Sequence, residues 1–214
     1  MLQPLDPHRA VKQTRGRRLP HWFQDGSAVF VTTRLADSIP AAFVARWEKR
    51  KTRLLLRHGI DPLAIKWQNR LRDATPEAYA IWQRRRSRGL LAMLDRGHGV
   101  CVLRQRWAAE LVLNALRFYD GVRYDLGPVV VMPNHVHALL ALREGFDLKA
   151  VMFDWKRFTA RSINRRMDRT GQFWQHESFD RLVRNAAALE RTIAYIHNNP
   201  RHLAAGEFLL WDPA

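Results

Sequence analysis

The sequence predicts an α+β fold in which antiparallel strands form a central sheet flanked by helices. Residues 129–142 contain two apolar runs separated by Pro133-Asn134, a dipeptide typical of turns, so they predict an antiparallel hairpin. Residues 28–34 alternate and are rich in β-forming side chains, which predicts another strand. Several other stretches have apolar side chains at helical spacing, so helices should account for much of the remaining chain.

The composition narrows the class of protein. The 214 residues suit one domain, or one domain with an insertion, and a hydrophobic content of 47% suffices for a packed core. The net charge of +16 indicates a polyanionic partner, and the excess of Arg over Lys suits phosphate contacts. The single Cys101 excludes disulfides within the chain and cysteine-rich zinc sites. No apolar stretch is long enough to cross a bilayer, so we expect a cytoplasmic protein that binds nucleic acid and no membrane.

The first 27 residues are basic and show no apolar periodicity. They are either a solvated tail or a basic arm that contacts nucleic acid, and the sequence does not decide between the two. In the second case Arg15, Arg17 and Arg18 are candidate DNA-binding residues. Arg34, at the end of the strand predicted for residues 28–34, is a further candidate for contact with a backbone phosphate.

Residues 36–99 read as a helical insertion. One helix is predicted over residues 41–58, with Gly59 as the residue that ends it. A second begins at Pro76, with Thr75 as its N-cap, and continues to Leu94. Both helices are rich in Arg and Lys. We interpret these side chains as solvent-exposed helix faces rather than as a surface that recognises nucleic acid specifically.

After the insertion, helices are predicted over residues 104–119 and 147–167, and a last helix begins near residue 187 and ends at Pro200. Residues 171–185 have no clear period and read as a loop or a short strand. The helix over residues 147–167 should place an apolar stripe against the core and cations on its other faces. The stripe consists of Met152, Trp155, Phe158 and Ile163, and the candidate DNA-binding cations are Lys156, Arg157 and Arg161.

The residues most indicative of chemistry are His135 and His137. Because alternate residues of a strand face the same way, both imidazoles lie on one face at the mouth of the hairpin, where they can bind one divalent cation. A His-x-His pair alone is weak evidence, because a buried or surface pair with no metal role is common. Tyr195 and Asn199, four residues apart on the last helix, supply a second element. The amide of Asn199 suits a third ligand of Mg²⁺ or Mn²⁺, and the phenol suits attack on a phosphodiester.

These motifs together resemble those of the HUH single-tyrosine (IS200-like) transposases, and within them the branch associated with repetitive extragenic palindromes (REP). The resemblance rests on MPNHVHALL over residues 132–140 and on YIHNNP over residues 195–200. The order of the remaining parts also agrees: Thr32-Thr33-Arg34 in the first strand, Leu94-Asp95-Arg96-Gly97 before a helix, and the segment from Phe173-Trp174-Gln175 to Arg184-Asn185.

The resemblance implies a ferredoxin-like HUH fold with a catalytic core over residues 28–35 and 100–205. It also implies that single-stranded hairpin DNA is cleaved and rejoined through a 5′-phosphotyrosine intermediate. Tyr195 matches the nucleophile, and His135 and His137 match the ligands of Mg²⁺ or Mn²⁺. Asn199 falls where relatives place a glutamine or asparagine ligand. No small-molecule cofactor is implied, and both monomers and dimers occur among such proteins. The helical insertion over residues 36–99 exceeds what compact members of the family need.

Two other functions are compatible with the sequence. A replication initiator or plasmid relaxase shares the His-x-His and tyrosine chemistry but usually orders its motifs differently. A domesticated, non-catalytic protein that binds DNA hairpins is the second alternative, although such a protein would be free to lose the set of His135, His137 and Tyr195 that is intact here. The remaining tyrosines, Tyr79, Tyr119 and Tyr124, are expected to serve packing, and the other histidines are expected to have no metal role.

Overall fold

The computed structural model describes residues 2–15 and 20–213. Within it the chain divides into two compact units. The first, here called the sheet unit, comprises Met1–Ala36 and Val100–Ala214, and the second, the helical unit, comprises Asp37–Gly99. The strands are β1 Lys12–Arg15, β2 Pro20–Phe23, β3 Ala28–Arg34, β4 Tyr124–Met132, β5 His135–Leu142, β6 Phe179–Leu182 and β7 Leu209–Trp211. The helices are α1 Ala41–Arg57, α2 Trp67–Ala74, α3 Pro76–Leu94, α4 Arg106–Arg117, α5 Leu148–Arg166 and α6 Ala186–Asn198.

The centre of the sheet unit is a five-stranded antiparallel sheet with the strand order β6-β3-β5-β4-β7. The hairpin of β4 and β5 closes tightly, because Met132 pairs with His135 across the two-residue turn. Both strands are almost wholly buried, which explains why their sequences read as nearly continuous apolar runs. The predicted α+β class with a central antiparallel sheet and flanking helices is therefore confirmed.

The two faces of this sheet pack against different helices. Val136, Ala138 and Leu140 of β5 belong to the large core that also contains buried side chains of α4 and α5. Leu139 belongs to a smaller core on the opposite face, where α6 packs. Since side chains alternate along a strand, His135 and His137 lie on the same face as Leu139. The two imidazoles are thus on the side of the sheet that α6 covers.

The helical unit has a small core in which tryptophans pack edge to face. The rings of Trp47 and Trp82 are 5.0 Å apart, and those of Trp67 and Trp82 are 6.4 Å apart. The smallest residue is required at position 89 of α3, because a Cβ atom there would lie 2.8 Å from Cζ2 of Trp47. The unit is therefore a set of helices held together by aromatic packing.

Several elements were not predicted from the sequence. The strands β1 and β2 pair with each other inside the basic N-terminal stretch, and β7 pairs with the edge of β4. All three have four residues or fewer, too short for a periodic pattern. The eight-residue α2 also escaped prediction, since it is short and is preceded by Lys66, which is not a residue type that marks the start of a helix.

One side chain of the apolar stripe predicted for α5 differs from the expectation. Met152, Trp155 and Ile163 are buried as predicted, whereas Phe158 is 57% exposed. No helix in the described part of the chain has the length and apolar character that crossing a membrane requires.

Candidate functional site

The candidate site is built around the two imidazoles at the start of β5. The Nε2 atoms of His135 and His137 are 3.1 Å apart, and both side chains are fully buried. They converge because alternate residues of the strand share a face and because the tight turn places His135 at the end of the hairpin. The alternation expected from the sequence therefore brings the predicted pair together.

A hydrogen bond at Nδ1 orients each imidazole. In His135 this atom is 2.7 Å from Oδ1 of Asn134, and in His137 it is 2.8 Å from Oγ1 of Thr32. An amide oxygen only accepts hydrogen bonds, so Nδ1 of His135 carries the proton and its Nε2 presents a lone pair. In metal-binding histidines, a hydrogen bond of this kind to the second ring nitrogen fixes the orientation of the ring.

Both imidazoles are neutral at physiological pH. Burial lowers the pKa of His135 to about 3, the interaction with Asn199 opposes this decrease, and the proximity of His202 adds to it. Burial, and next the proximity of His135, holds the pKa of His137 well below its ordinary value. Neutral imidazole is the form that donates a lone pair to a cation.

Tyr195 of α6 contacts the imidazole pair from the helix that covers this face of the sheet. Its hydroxyl oxygen lies 3.3 Å from Nε2 of His137. The ring of Phe30 supports this arrangement, since it stacks on His137 at 5.2 Å and meets Tyr195 edge to face at 5.8 Å. The sequence predicted that Tyr195 and the histidines would meet, and the structure places them in direct contact.

Asn199 follows directly after the end of α6 and begins a 3₁₀ turn, Asn199–His202. Its buried side chain interacts with His135, whose pKa it raises. The amide therefore lies at the pair of imidazoles, on the same helix end as Tyr195. His197, in contrast, points away, with Nε2 bonded to Oδ1 of Asp212 at 2.8 Å.

These residues suit a divalent cation. Octahedral Mg²⁺ has bonds of about 2.1 Å, so two neighbouring ligand atoms are about 3.0 Å apart. The Nε2 atoms of the pair are 3.1 Å apart, and the buried side chain of Asn199 interacts with the ring of His135. In the described chain no group of three or more His, Cys, Asp and Glu side chains is placed to hold a metal ion. The candidate ligand set is accordingly two imidazoles and one amide, a mixed nitrogen and oxygen set that Mg²⁺ or Mn²⁺ accepts.

Arg181 of β6 is a site residue that sequence reasoning missed. Its guanidinium lies over the ring of Phe30 at 5.7 Å and donates a hydrogen bond to Oγ1 of Thr192 on α6. Although the side chain is partly exposed, desolvation of the guanidinium and the nearby charge of Arg191 lower the pKa of Arg181, while its interaction with Tyr195 raises it. Because residues 171–185 have no clear period, no signal in the sequence placed this cation next to the phenol.

The predicted DNA-binding residues are spread over the sheet unit. Arg34 pairs with His135 across β3 and β5, and its charge contributes to the lowered pKa of Lys156. Arg157 and Arg161 lie one turn apart on α5, and both are exposed. Arg17 and Arg18 lie outside the described residues, and so does the side chain of Arg15.

Lys156 differs from its two neighbours on α5, because protein atoms surround its ammonium group. Nζ donates to the backbone oxygens of Gln175 and His176 and to Oγ of Ser178, at 2.7–3.1 Å. Burial is the main cause that lowers the pKa of Lys156 to about 8. In the described structure this lysine holds residues 175–178 against α5.

A groove of about 660 Å³ runs between α5 and residues 171–180. Arg157 and the 59% exposed Phe153 are among the side chains that line it. The guanidinium of Arg157 lies 5.9 Å from the centre of the Phe153 ring. An exposed aromatic ring beside a cation is a combination that binds unpaired nucleotides, by stacking on the base and by contact with the phosphate.

The comparison with protein families agrees with the motifs. Residues 102–199 match the family model described as "Transposase IS200 like", which confirms the resemblance to that family. No curated protein matches the sequence significantly. A solved structure titled "Structure of the REP associates tyrosine transposase bound to a REP hairpin" is similar, with 13% sequence identity and a TM-score of 0.44. The similarity covers 88% of this chain and 73% of the other.

Proposed function

From the resemblance of residues 102–199 to the IS200-like transposases, we propose that this chain cleaves and rejoins single-stranded DNA at hairpins. The observation that carries the proposal is the 3.3 Å contact between the Tyr195 hydroxyl and the imidazole pair. A partly buried phenol beside two buried, neutral imidazoles and a buried amide is a set of groups suited to transfer of a phosphodiester to tyrosine. Hairpins of repetitive extragenic palindromes are the first substrates to test.

In the proposed reaction the Tyr195 oxygen attacks the phosphorus of a phosphodiester. The bond from phosphorus to the 3′ oxygen breaks, the tyrosine becomes joined to the 5′ phosphate, and the strand upstream leaves with a free 3′-hydroxyl. The phenol loses its proton and the leaving oxygen gains one, so no oxidant or other co-reactant is needed. Attack of a 3′-hydroxyl on the phosphotyrosine reverses these steps and rejoins DNA.

The side chains around Tyr195 have separate roles in this reaction. His135, His137 and Asn199 would hold Mg²⁺ or Mn²⁺, and a bound cation supplies polarisation of the phosphodiester. Thr32 and Asn134 orient the two rings through Nδ1. Arg181 places a positive charge near the phenol, where it stabilises the phenolate that develops during attack.

The DNA strand itself is bound by the exposed face of α5 in this proposal. Phe153 and Phe158, which are 59% and 57% exposed, would stack on unpaired bases. Arg157 and Arg161, on the same helix, would contact phosphates together with Arg34. Arg15, Arg17 and Arg18 remain candidates for further phosphate contacts, whereas Lys156 is better explained as a support of residues 175–178.

The experiment that tests the metal site compares His135→Ala and His137→Ala with the parent on labelled hairpin DNA in Mn²⁺. We expect each change to abolish cleavage while hairpin affinity stays within about twofold, because affinity comes mainly from Arg and Lys contacts. His197→Ala is the matched control, since this histidine lies on the helix of Tyr195 but pairs with Asp212. Cleavage at the parent's rate by either variant would show that the imidazole pair is not the metal site.

A further inference from the structure

The helical unit carries half of the protein's net charge. Its 63 residues contain 14 Lys and Arg against 6 Asp and Glu, a net charge of +8 out of +16. The groups assigned to the reaction, and the groove beside α5, all belong to the sheet unit. The proposed chemistry therefore leaves the largest concentration of positive charge without a role.

The basic side chains of α1 form a stripe along the helix. Arg46, Arg50, Arg53 and Arg57 follow one another at intervals of four, three and four residues, which places them on one face. All four are exposed, and Lys49 is exposed beside them. At a rise of about 1.5 Å per residue the stripe is about 16 Å long, close to the span of five phosphates on one strand of a duplex.

A second stripe lies on α3. Arg84 and Arg88 are four residues apart, Arg85 lies between them on the same side, and all three are exposed. These two groups are called here the α1 stripe and the α3 stripe. The regular spacing distinguishes both from charges scattered over a solvated surface.

Within the described structure no carboxylate compensates the stripes. None of their arginines forms an ion pair with a described residue, and Glu48, on the same helix as the α1 stripe, pairs with Lys51. The guanidinium of Arg50 lies 5.6 Å from the centre of the Trp47 ring, a contact that leaves its charge uncompensated. Like charges at a spacing of four residues destabilise a helix, so both stripes reduce the stability of the elements that carry them. A polyanion that binds there removes this repulsion.

The exposed apolar side chains of this unit indicate which form of DNA is bound. They are all aliphatic: Val44, Leu56, Leu63, Ile65 and Ile81. The tryptophans are at least partly buried, and cations already lie over the rings of Trp47 and Trp67. Proteins that bind single strands combine cations with exposed aromatic rings, as α5 does, whereas contact with a duplex backbone needs the cations alone.

We propose that the helical unit is a second DNA-binding site, which contacts the sugar-phosphate backbone of double-stranded DNA through the α1 and α3 stripes. The inference rests on the proposed function only in taking DNA as the polyanion. Solvated helix faces, the interpretation that the sequence favoured, do not account for two regular stripes without counter-charges.

The test uses the full-length protein with either Arg84→Gln/Arg88→Gln or Arg46→Gln/Arg53→Gln. Glutamine is a good helix former, and the replaced side chains are exposed, so both variants are expected to fold. The matched control, Arg106→Gln/Arg143→Gln, also removes two positive charges. These arginines already pair with Glu110 and Asp125 in the sheet unit. The probes are a blunt duplex of about 20 base pairs and an unstructured single strand of equal length, titrated over a range of salt concentrations.

We expect each stripe variant to bind the duplex about tenfold more weakly at low salt, and the slope of log K against log salt to fall by about 1.8, for two lost contacts. The control should keep the parent's duplex affinity within about twofold, and single-strand affinity should change little in any variant. Equal losses in the control would overturn the proposal, because the effect would then be one of general charge. The proposal would also be overturned if the stripe variants kept the parent's duplex affinity, or if they lost as much affinity for the single strand as for the duplex. None of these measurements requires cleavage, so failure of the tyrosine chemistry would be seen separately.

Discussion

At the residue scale, the candidate site depends on how buried rings are oriented. Asn134 and Thr32 hold the Nδ1 atoms of the two imidazoles, and Phe30 stacks on one of the rings. Alternation along a strand, a local property of the sequence, predicted that His135 and His137 share a face. The roles expected for them and for Tyr195 came from the resemblance to the IS200-like transposases. The position of Arg181 could not be predicted from the sequence, because it depends on the pairing of β6 with β3, two strands that are far apart in the chain.

Arg181 allows a direct test of the electrostatics around Tyr195. Arg181→Met should slow formation of the covalent adduct about tenfold or more, because the charge that stabilises the developing phenolate is lost. Arg181→Lys should restore part of the rate. Single-turnover measurements with a labelled hairpin give both values, and Arg184→Met, an exposed change on the same segment, serves as the control. Equal rates for Arg181→Met and the parent would mean that this cation does not act on the phenol.

The lowered pKa of Lys156 should make the stability of the protein depend on pH. Its pKa is about 8 in the folded protein against an ordinary 10.5, so between these values the unfolded chain binds more protons than the folded one. The free energy of unfolding should therefore rise with pH in this window, by on the order of 1 kcal/mol per pH unit relative to a variant without the group. Urea titrations of the parent and of Lys156→Gln at pH 8 and pH 10 measure the difference. Lys149→Gln, an exposed change on α5, should follow the parent at both pH values.

At the scale of elements, the long helices and the hairpin were predictable, whereas β1, β2 and β7 were not. β6 lies in residues 171–185, for which the sequence predicted a loop or a short strand. The predicted helices over residues 41–58 and 76–94 correspond to α1 and α3, and the predicted strand over residues 28–34 coincides with β3. Their length gives the apolar pattern enough repeats to be recognised. β1, β2, β6 and β7 have at most four residues, and their conformation is set by pairing with distant strands.

The helix that carries Tyr195 begins at a capping residue that can be tested. The side chain of Asn185 accepts a hydrogen bond from the backbone N–H of Ala188, which satisfies one of the free N–H groups at the start of α6. Asn185→Ala should lower the free energy of unfolding by about 1 kcal/mol, whereas Asn185→Asp should preserve it. Chemical denaturation measures both. If the Ala and Asp variants were equally stable, the cap would contribute nothing to the helix that positions the nucleophile.

At the scale of the whole molecule, charge and chemistry are divided between the two units. The sheet unit contains the imidazole pair, Tyr195 and the exposed aromatic face of α5, while the helical unit contains half of the net charge. The net charge of +16 indicated a polyanionic partner from composition alone. Which cations lack counter-charges became visible only in the structure, because ion pairs depend on how the side chains are placed.

The measurement that tests the central claim most directly is capture of the covalent intermediate. The parent, incubated with 3′-labelled single-stranded hairpin DNA and Mn²⁺, should give a labelled protein band that survives denaturation. Tyr195→Phe keeps the ring contacts with Phe30 and His137 and removes only the attacking oxygen, so the variant should fold and bind DNA as the parent does.

Tyr195→Phe should nevertheless give no labelled band. Tyr124→Phe is the matched control, since the hydroxyl of Tyr124 is buried, donates a hydrogen bond to the backbone oxygen of Leu116, and has a raised pKa because of burial. The control should still form the adduct. A labelled band from Tyr195→Phe would assign the nucleophile elsewhere, and DNA cleavage by the parent without any band would show hydrolysis instead of transfer to tyrosine.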